Sequence, residues 1–296
     1  MRKISRLIGS CLAACCVAAS MCTVAFTSSA AGYSGSGTLA DPFLVTNAEQ
    51  LQSMRDNLSA HYKLANTIDL SGVNFKTIGR LDAPFTGSFV CEMNADSTPK
   101  YVIKNLKMTI AETPYAAEKK NKWEAGLFGA ASAATFSGIY VLDSEVANNN
   151  VGDNTGAVAY GDFKPGMDEM PTGILCGNAE NANFMNCASS GSVSGSANNC
   201  GGLVGSLNGG SATNCYSTAS VNTKGKWNVG GLIGSINNAS VESCFSTGNV
   251  SGGQTNIAGF IGSVGGVSSI KNCYSTGNAE SKKEDATNFT VLRQAK

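Results

Sequence analysis

Charge is what this sequence has least of. Asp, Glu, Lys and Arg together make up 14% of its 296 residues, against about 25% in ordinary soluble domains. The 21 basic and 21 acidic residues cancel. A surface that neutralises phosphates is therefore excluded, and nucleic acid is not an expected partner. So is a charged disordered tail. There is one histidine, His61, which rules out any mechanism with two imidazoles, including zincin and three-His zinc sites. Proline occurs six times. Beyond the first 31 residues there is no apolar run of about 18, so no later segment is expected to span a bilayer. Glycine is in excess, with 35 residues.

The N-terminus reads as a secretory signal, residues 1–31. Arg2, Lys3 and Arg6 form a positive start, Leu7 to Phe26 is uncharged and apolar or small, and small residues precede a cut after Ala30 or Ala31. Leu12-Ala13-Ala14-Cys15 also has lipobox form, but the apolar run continues past Cys15 where a polar tether would begin. Removing this segment leaves 18 basic against 21 acidic residues, a net charge of −3, and seven cysteines. Seven is odd, so at least one is unpaired or bridges to another chain. The mature chain is expected to be secreted, or associated with the cell surface.

A period of 28–29 residues dominates the rest. Gly202-Leu203-Val204-Gly205, Gly231-Leu232-Ile233-Gly234 and Gly259-Phe260-Ile261-Gly262 recur at 29 and 28. Gly173-Ile174-Leu175-Cys176 lies 29 before the first, with Cys176 in place of the last glycine. Gly126-Leu127-Phe128-Gly129 lies 47 earlier still, one period plus 18, which places an insertion near residues 148–171. Cys187, Cys215, Cys244 and Cys273 recur at one phase, each opening a Cys-(aromatic or Ala)-Ser block. Each period holds two short apolar or β-branched runs between Gly, Asn and Ser clusters, and none has a helical stripe. About 29 residues at ~3.3 Å of strand rise suits one coil of a broad parallel β-solenoid, with coils stacked about 4.8 Å apart.

These runs, with the Asn-Cys-Tyr-Ser-Thr blocks that follow them, resemble GLUG-motif repeats. The stretch from Gly37-Thr38-Leu39-Ala40-Asp41-Pro42-Phe43 to Ile103-Lys104-Asn105-Leu106 resembles the region that often precedes such repeats. The resemblance implies an all-β, right-handed parallel β-helix in secreted or surface proteins of bacteria. These are often adhesin-like, and sometimes lie beside the catalytic part of immunoglobulin A peptidases. No such catalytic part is recognisable here.

The expected organisation is a cap with the first coils over 32–110, repeats over 111–279, and a polar tail over 280–296. Thr46-Asn47-Ala48-Glu49 fits a capping box with Thr46 as the cap. A short helix carrying Leu51, Met54 and Leu58 should cover the first coil. In the tail, Asn288 to Leu292 reads as a last short strand.

The repeats are nearly empty of ionisable acids and bases. From Thr172 to Ala279 the acids are Glu180 and Glu242, and the bases Lys224, Lys226 and Lys271. Lyase and hydrolase chemistry needs paired carboxylates on one face, so no catalytic residue and no cofactor is expected. The acids Asp143, Glu145, Asp153, Asp162, Asp168 and Glu169 lie in or near the insertion. There they read as a solvated loop, as Ca²⁺ ligands, or as the site of a polysaccharide lyase or hydrolase. The four in-phase cysteines read either as a buried thiol stack or as one or two disulfides. Strand alternation puts Tyr216, Phe245 and Tyr274 on the face opposite the cysteines. There they form an outward stripe able to meet sugar rings or a partner surface, unless a corner turns both columns inward. Trp123 and Trp227 read as core or coil-edge residues. The expected function is non-enzymatic, adhesin-like binding of a glycan, matrix or cell surface; a carbohydrate-active enzyme and a passive spacer are the other two readings.

Overall fold

A computed structural model describes residues 32–110, 124–149, 171–224, 227–253 and 255–281. The segment expected to be a secretory signal, the insertion between 150 and 170, Trp123 and the strand expected at 288–292 lie outside the described residues. Where described, the chain is all-β with a single short α-helix. Its named strand pairs are parallel, and they build four sheets in a β-helix-like arrangement.

One period, Cys200 to Thr223, shows how the sequence builds this. Cys200–Gly201 joins a three-stranded sheet, Val204–Asn208 a five-stranded one, and Ser211–Thr213 an eight-stranded one. Tyr216–Ser217 and Ser220–Thr223 both join an eleven-stranded sheet. Each strand pairs in register with the strand one period later: Val204 with Ile233, Ile233 with Ile261. The two runs expected per period are thus five short strands. Corners break them up, and they are set by left-handed residues, Asn199, Gly209 and Asn214, at φ +52°, +69° and +52°. Asn228, Asn238 and Ser243 hold the same corners one period on. Asparagine and glycine tolerate this conformation better than other residues, which is why polar clusters punctuate the repeat.

Register corrects the alignment of the fourth copy. Cys176 pairs with Val204 and with Phe128. The copy therefore reads Leu175-Cys176-Gly177, with Gly177 as its last glycine. What departs from the pattern is Ile174, which takes the place of Gly202. The offset back to Phe128 is 48 positions rather than 47. The extra residues leave after Asn148 and return at Thr172. Both are fully buried, and the Asn148 amide donates to Thr172 Oγ1 across 3.1 Å.

The core changes character along the stack. Its N-terminal part is aromatic, with Tyr62, Phe85, Phe89, Phe128, Phe136 and Phe184 fully buried. In the column that begins Phe89, Phe136 and Phe184, the next residues inward are Ala212, Val241 and Ile270. The helix Ala48–Ser53 follows the first strand and buries Leu51 in the core, and Met54, its C-cap, is also fully buried. Its N-cap is Asn47, not Thr46: Asn47 Oδ1 accepts from the Gln50 N–H at 2.9 Å. Gln50 Oε1 in turn accepts from both Thr46 N–H and its hydroxyl at 2.8 Å. Asparagine is at least as good an N-cap as threonine, and the shift by one buries Gln50 while Glu49 faces solvent. Leu58 lies beyond the helix and its 3₁₀ continuation Met54–Asp56.

Candidate functional site

The left-handed residue before each cysteine turns the chain, and the strand then alternates. Cys187, Cys215, Cys244 and Cys273 face inward and are buried, Tyr216 and Phe245 are half-buried, and Tyr274 is 45% exposed. The next residues, Ser189, Ser217 and Ser246, are again fully buried, while Thr218, Thr247 and Thr276 are exposed. The inward corner is thus not what forms.

The rings stack on one another. Tyr216 and Phe245 lie 4.9 Å apart with parallel planes, and Phe245 and Tyr274 lie 5.1 Å apart at 4°. Each ring covers the face of its neighbour, so the column presents ring edges outward. Stacking of a sugar onto each ring face, as the sequence suggested, is therefore not available inside the column. Tyr140 belongs to the same register, since both Tyr140 and Tyr216 pair with Ala188. It meets Tyr216 edge-on at 5.6 Å and 89°, closing over the fully buried Ala188. Burial first, and then Tyr216, raises the Tyr140 phenol well above its usual range. The sequence concealed Tyr140, because the insertion shifts its spacing and alanine interrupts the series.

Beside the aromatic and threonine columns run further exposed polar side chains: Ser220, Asn249 and Asn278, then Asn222 and Glu280. Over the periods from Tyr216 onward Glu280 is the sole charge in these columns; before them the Ser220 column continues through Ser192 to Glu145 and Lys107. Around the corner on the other side, Glu242 and Lys271 occupy adjacent coils.

The cysteine column is a ladder of thiols. Each thiol donates to the carbonyl two residues back, at 3.3, 3.3, 3.2 and 3.0 Å from Cys187 to Cys273. Cys215, Cys244 and Cys273 each accept the N–H of the preceding cysteine at 3.3–3.4 Å. All seven cysteines among the described residues are free and buried, which selects the thiol stack over disulfides. Burial raises the Cys215 thiol well above its ordinary range and the Cys200 thiol to about 12. The Cys215 thiol, and then burial, hold Cys244 at about 12. Thiolate is the reactive form, so these groups are inert while folded. Peptide mapping after maleimide treatment is expected to find Cys91 through Cys273 unmodified in the native protein and all seven labelled in denaturant. Labelling of Cys215 without denaturant would contradict the ladder.

Of the acids singled out near the insertion, two lie among the described residues, and they form no cluster. Asp143 and Glu145 are exposed neighbours on the strand Tyr140–Asn148. Glu145 pairs with Lys107 at 3.0 Å, and Asp143 N–H donates to Ser190 Oγ at 2.8 Å. Asp153, Asp162, Asp168 and Glu169 lie outside the described residues. Among the described residues no three His, Cys, Asp or Glu side chains gather as a metal site. Parallel register brings His61 Nδ1 within 2.9 Å of Ser88 Oγ, a contact the sequence did not announce. Glu124 is a buried carboxylate, also unforeseen; after burial itself, its charge is the second cause that raises the Cys176 thiol. Trp227 is half-buried at the start of its strand.

Residues 225–251 match the family described as the GLUG motif. This chain carries the GLUG motif. The match covers one period, from the strand Trp227–Gly230 through the Phe245 block. Among solved structures, a Bacteroides ovatus protein provisionally assigned as an immunoglobulin A1 protease is 20% identical. The alignment covers 88% of this chain and 86% of that one, with a TM-score of 0.59. A second protein, named IgA1 protease, is 17% identical over 78% of this chain at a TM-score of 0.45, and this chain spans 16% of its length. No curated protein matches the chain. At 20% identity the likeness is one of fold, and it places the GLUG periods in a β-helix-like protein. Among the described residues no helix is long and apolar enough to cross a membrane.

Proposed function

We propose that this chain is an extracellular, non-enzymatic, right-handed β-helix of 28–29-residue coils, which binds a glycan of a matrix or cell surface in the manner of an adhesin. The observation that carries this reading is the pairing of a half-buried aromatic column, Tyr216–Phe245–Tyr274, with an exposed hydroxyl column, Thr218–Thr247–Thr276, on a stretch with little charge. Aromatic edges and hydroxyls side by side suit a ligand that is itself part apolar and part hydroxyl. One such contact per coil is weak, and several in a row sum to useful affinity. In-register pairing at 28–29 residues through the GLUG repeats supports the solenoid, and the right-handed rule for parallel crossovers supports its hand. The signal-like N-terminus supports export. The scarcity of acids in the GLUG coils supports binding over turnover.

The test is a pull-down of the purified protein on insoluble polysaccharides and mucin, with the supernatant assayed for released sugar. Retention without release is expected. Phe245→Ala should reduce retention about tenfold, within what one aromatic contact is worth, and should leave the circular-dichroism spectrum unchanged. Released sugar would overturn the non-enzymatic reading and direct attention to the acids between Asp143 and Glu169.

A further inference from the structure

The direction of the two columns says more than their composition. A ring stack covers its own faces, so a sugar cannot insert between coils; it meets ring edges on one side. The threonines follow their two-residue strands directly, and their N–H groups still donate to Ser189, Ser217 and Ser246 of the preceding period at 2.9–3.0 Å; with next-but-one residues of extended chain about 6.6 Å apart, the aromatic and threonine columns leave a shallow furrow parallel to the stack. One wall of that furrow is apolar and the other is hydroxyl. Its repeat is the ring spacing, 4.9 and 5.1 Å. An extended β-1,4-linked pyranose chain advances by nearly the same distance per sugar, and it offers C–H groups and hydroxyls along its length. An α-1,4-linked chain curls and leaves a straight furrow after a residue or two. The aromatic and threonine columns carry no charged side chain, and Glu280 stands two columns beyond the threonines, which favours a neutral chain over a polyuronate.

Resting on the glycan-binding reading above, we infer that the ligand is a neutral, extended β-1,4-linked glycan lying along the stack, one sugar per coil, between Tyr216–Phe245–Tyr274 and Thr218–Thr247–Thr276. Three rings in contact define three sugar positions. The edge-on pair Tyr140–Tyr216 over Ala188 breaks the regular furrow at its N-terminal side.

Calorimetric titration with cello- and chito-oligosaccharides of two to six sugars tests this, with malto-oligosaccharides of equal length as the contrast. Affinity is expected to rise about three- to tenfold per sugar up to the trimer, the value of one aromatic-sized contact, and then to level off. The malto series should show no such rise. Phe245→Ala, in the middle of the column, should abolish the length dependence. Thr247→Val keeps the shape, removes one hydroxyl, and should weaken the trimer more than the dimer. Affinity independent of length, or equal in the malto series, would overturn the axial placement while leaving glycan binding intact. No binding to any glycan of the panel above would instead overturn the reading on which the inference rests.

Discussion

Gly234→Ala is expected to destabilise the protein by about 1–3 kcal/mol, a fall of roughly 5 °C in Tm for a chain of this size. A Cβ at Gly234 would lie 2.5 Å from the carbonyl carbon of Asn199 and the oxygen of Gly205, and 2.6 Å from the nitrogen of Cys200. These are backbone atoms on two strands, and neither strand can yield alone without breaking its ladder. The same conflict awaits at Gly262, against Val229 N and Asn228 C at 2.5 and 2.7 Å, and at Gly205, against Thr172 N at 2.3 Å. The last glycine of the motif is therefore a matter of space between two sheets rather than of backbone freedom. Gly265→Ala is the control. Its Cβ would meet Asn237 Oδ1 at 3.1 Å, the tip of a side chain, and should cost less than about 0.5 kcal/mol. Thermal melts of the two variants side by side decide the matter, and equal melting temperatures would refute the steric account.

The same glycines made most of the fold legible in the sequence. Three of the motif copies stand at 28–29, and the parallel pairing joins them in that order. Where the pattern weakens, the glycines alone no longer fix the register. Gly173 looks like the first glycine of its copy, yet the hydrogen bonds align Leu175 with Leu203 and so make Gly177 the last. The helix start is ambiguous for a like reason: Thr46 and Asn47 can both cap it, and the burial of Gln50 chooses Asn47. The aromatic column was half visible. Its outward direction follows from alternation, whereas the parallel planes follow from in-register stacking, which no single strand encodes. Tyr140 and the His61–Ser88 contact depend on which strands become neighbours across an irregular spacing, and that is tertiary information.

Phe136→Ala is the variant with the largest expected loss, about 3–5 kcal/mol and on the order of 10 °C in Tm. Phe136 is fully buried. Its ring stacks on Phe184 at 4.9 Å and 8°, meets Phe128 edge-on at 4.8 Å, and touches Phe85 at 5.8 Å. It thereby joins residues of three successive periods, on both sides of the insertion. In a stack where each period contacts only its neighbours, stability is a sum of local terms and interfaces. Removing the ring weakens one interface rather than the whole molecule. The aromatic N-terminal part and the aliphatic GLUG part should then melt at different temperatures, with Ile270→Ala, at the other end of the same column, lowering only the second. Differential scanning calorimetry reads this directly: one broadened or split transition for Phe136→Ala against a single sharp one for the parent. A single transition shifted by less than about 2 °C would show that the coupling between the two parts runs through the backbone ladders and not through this ring cluster.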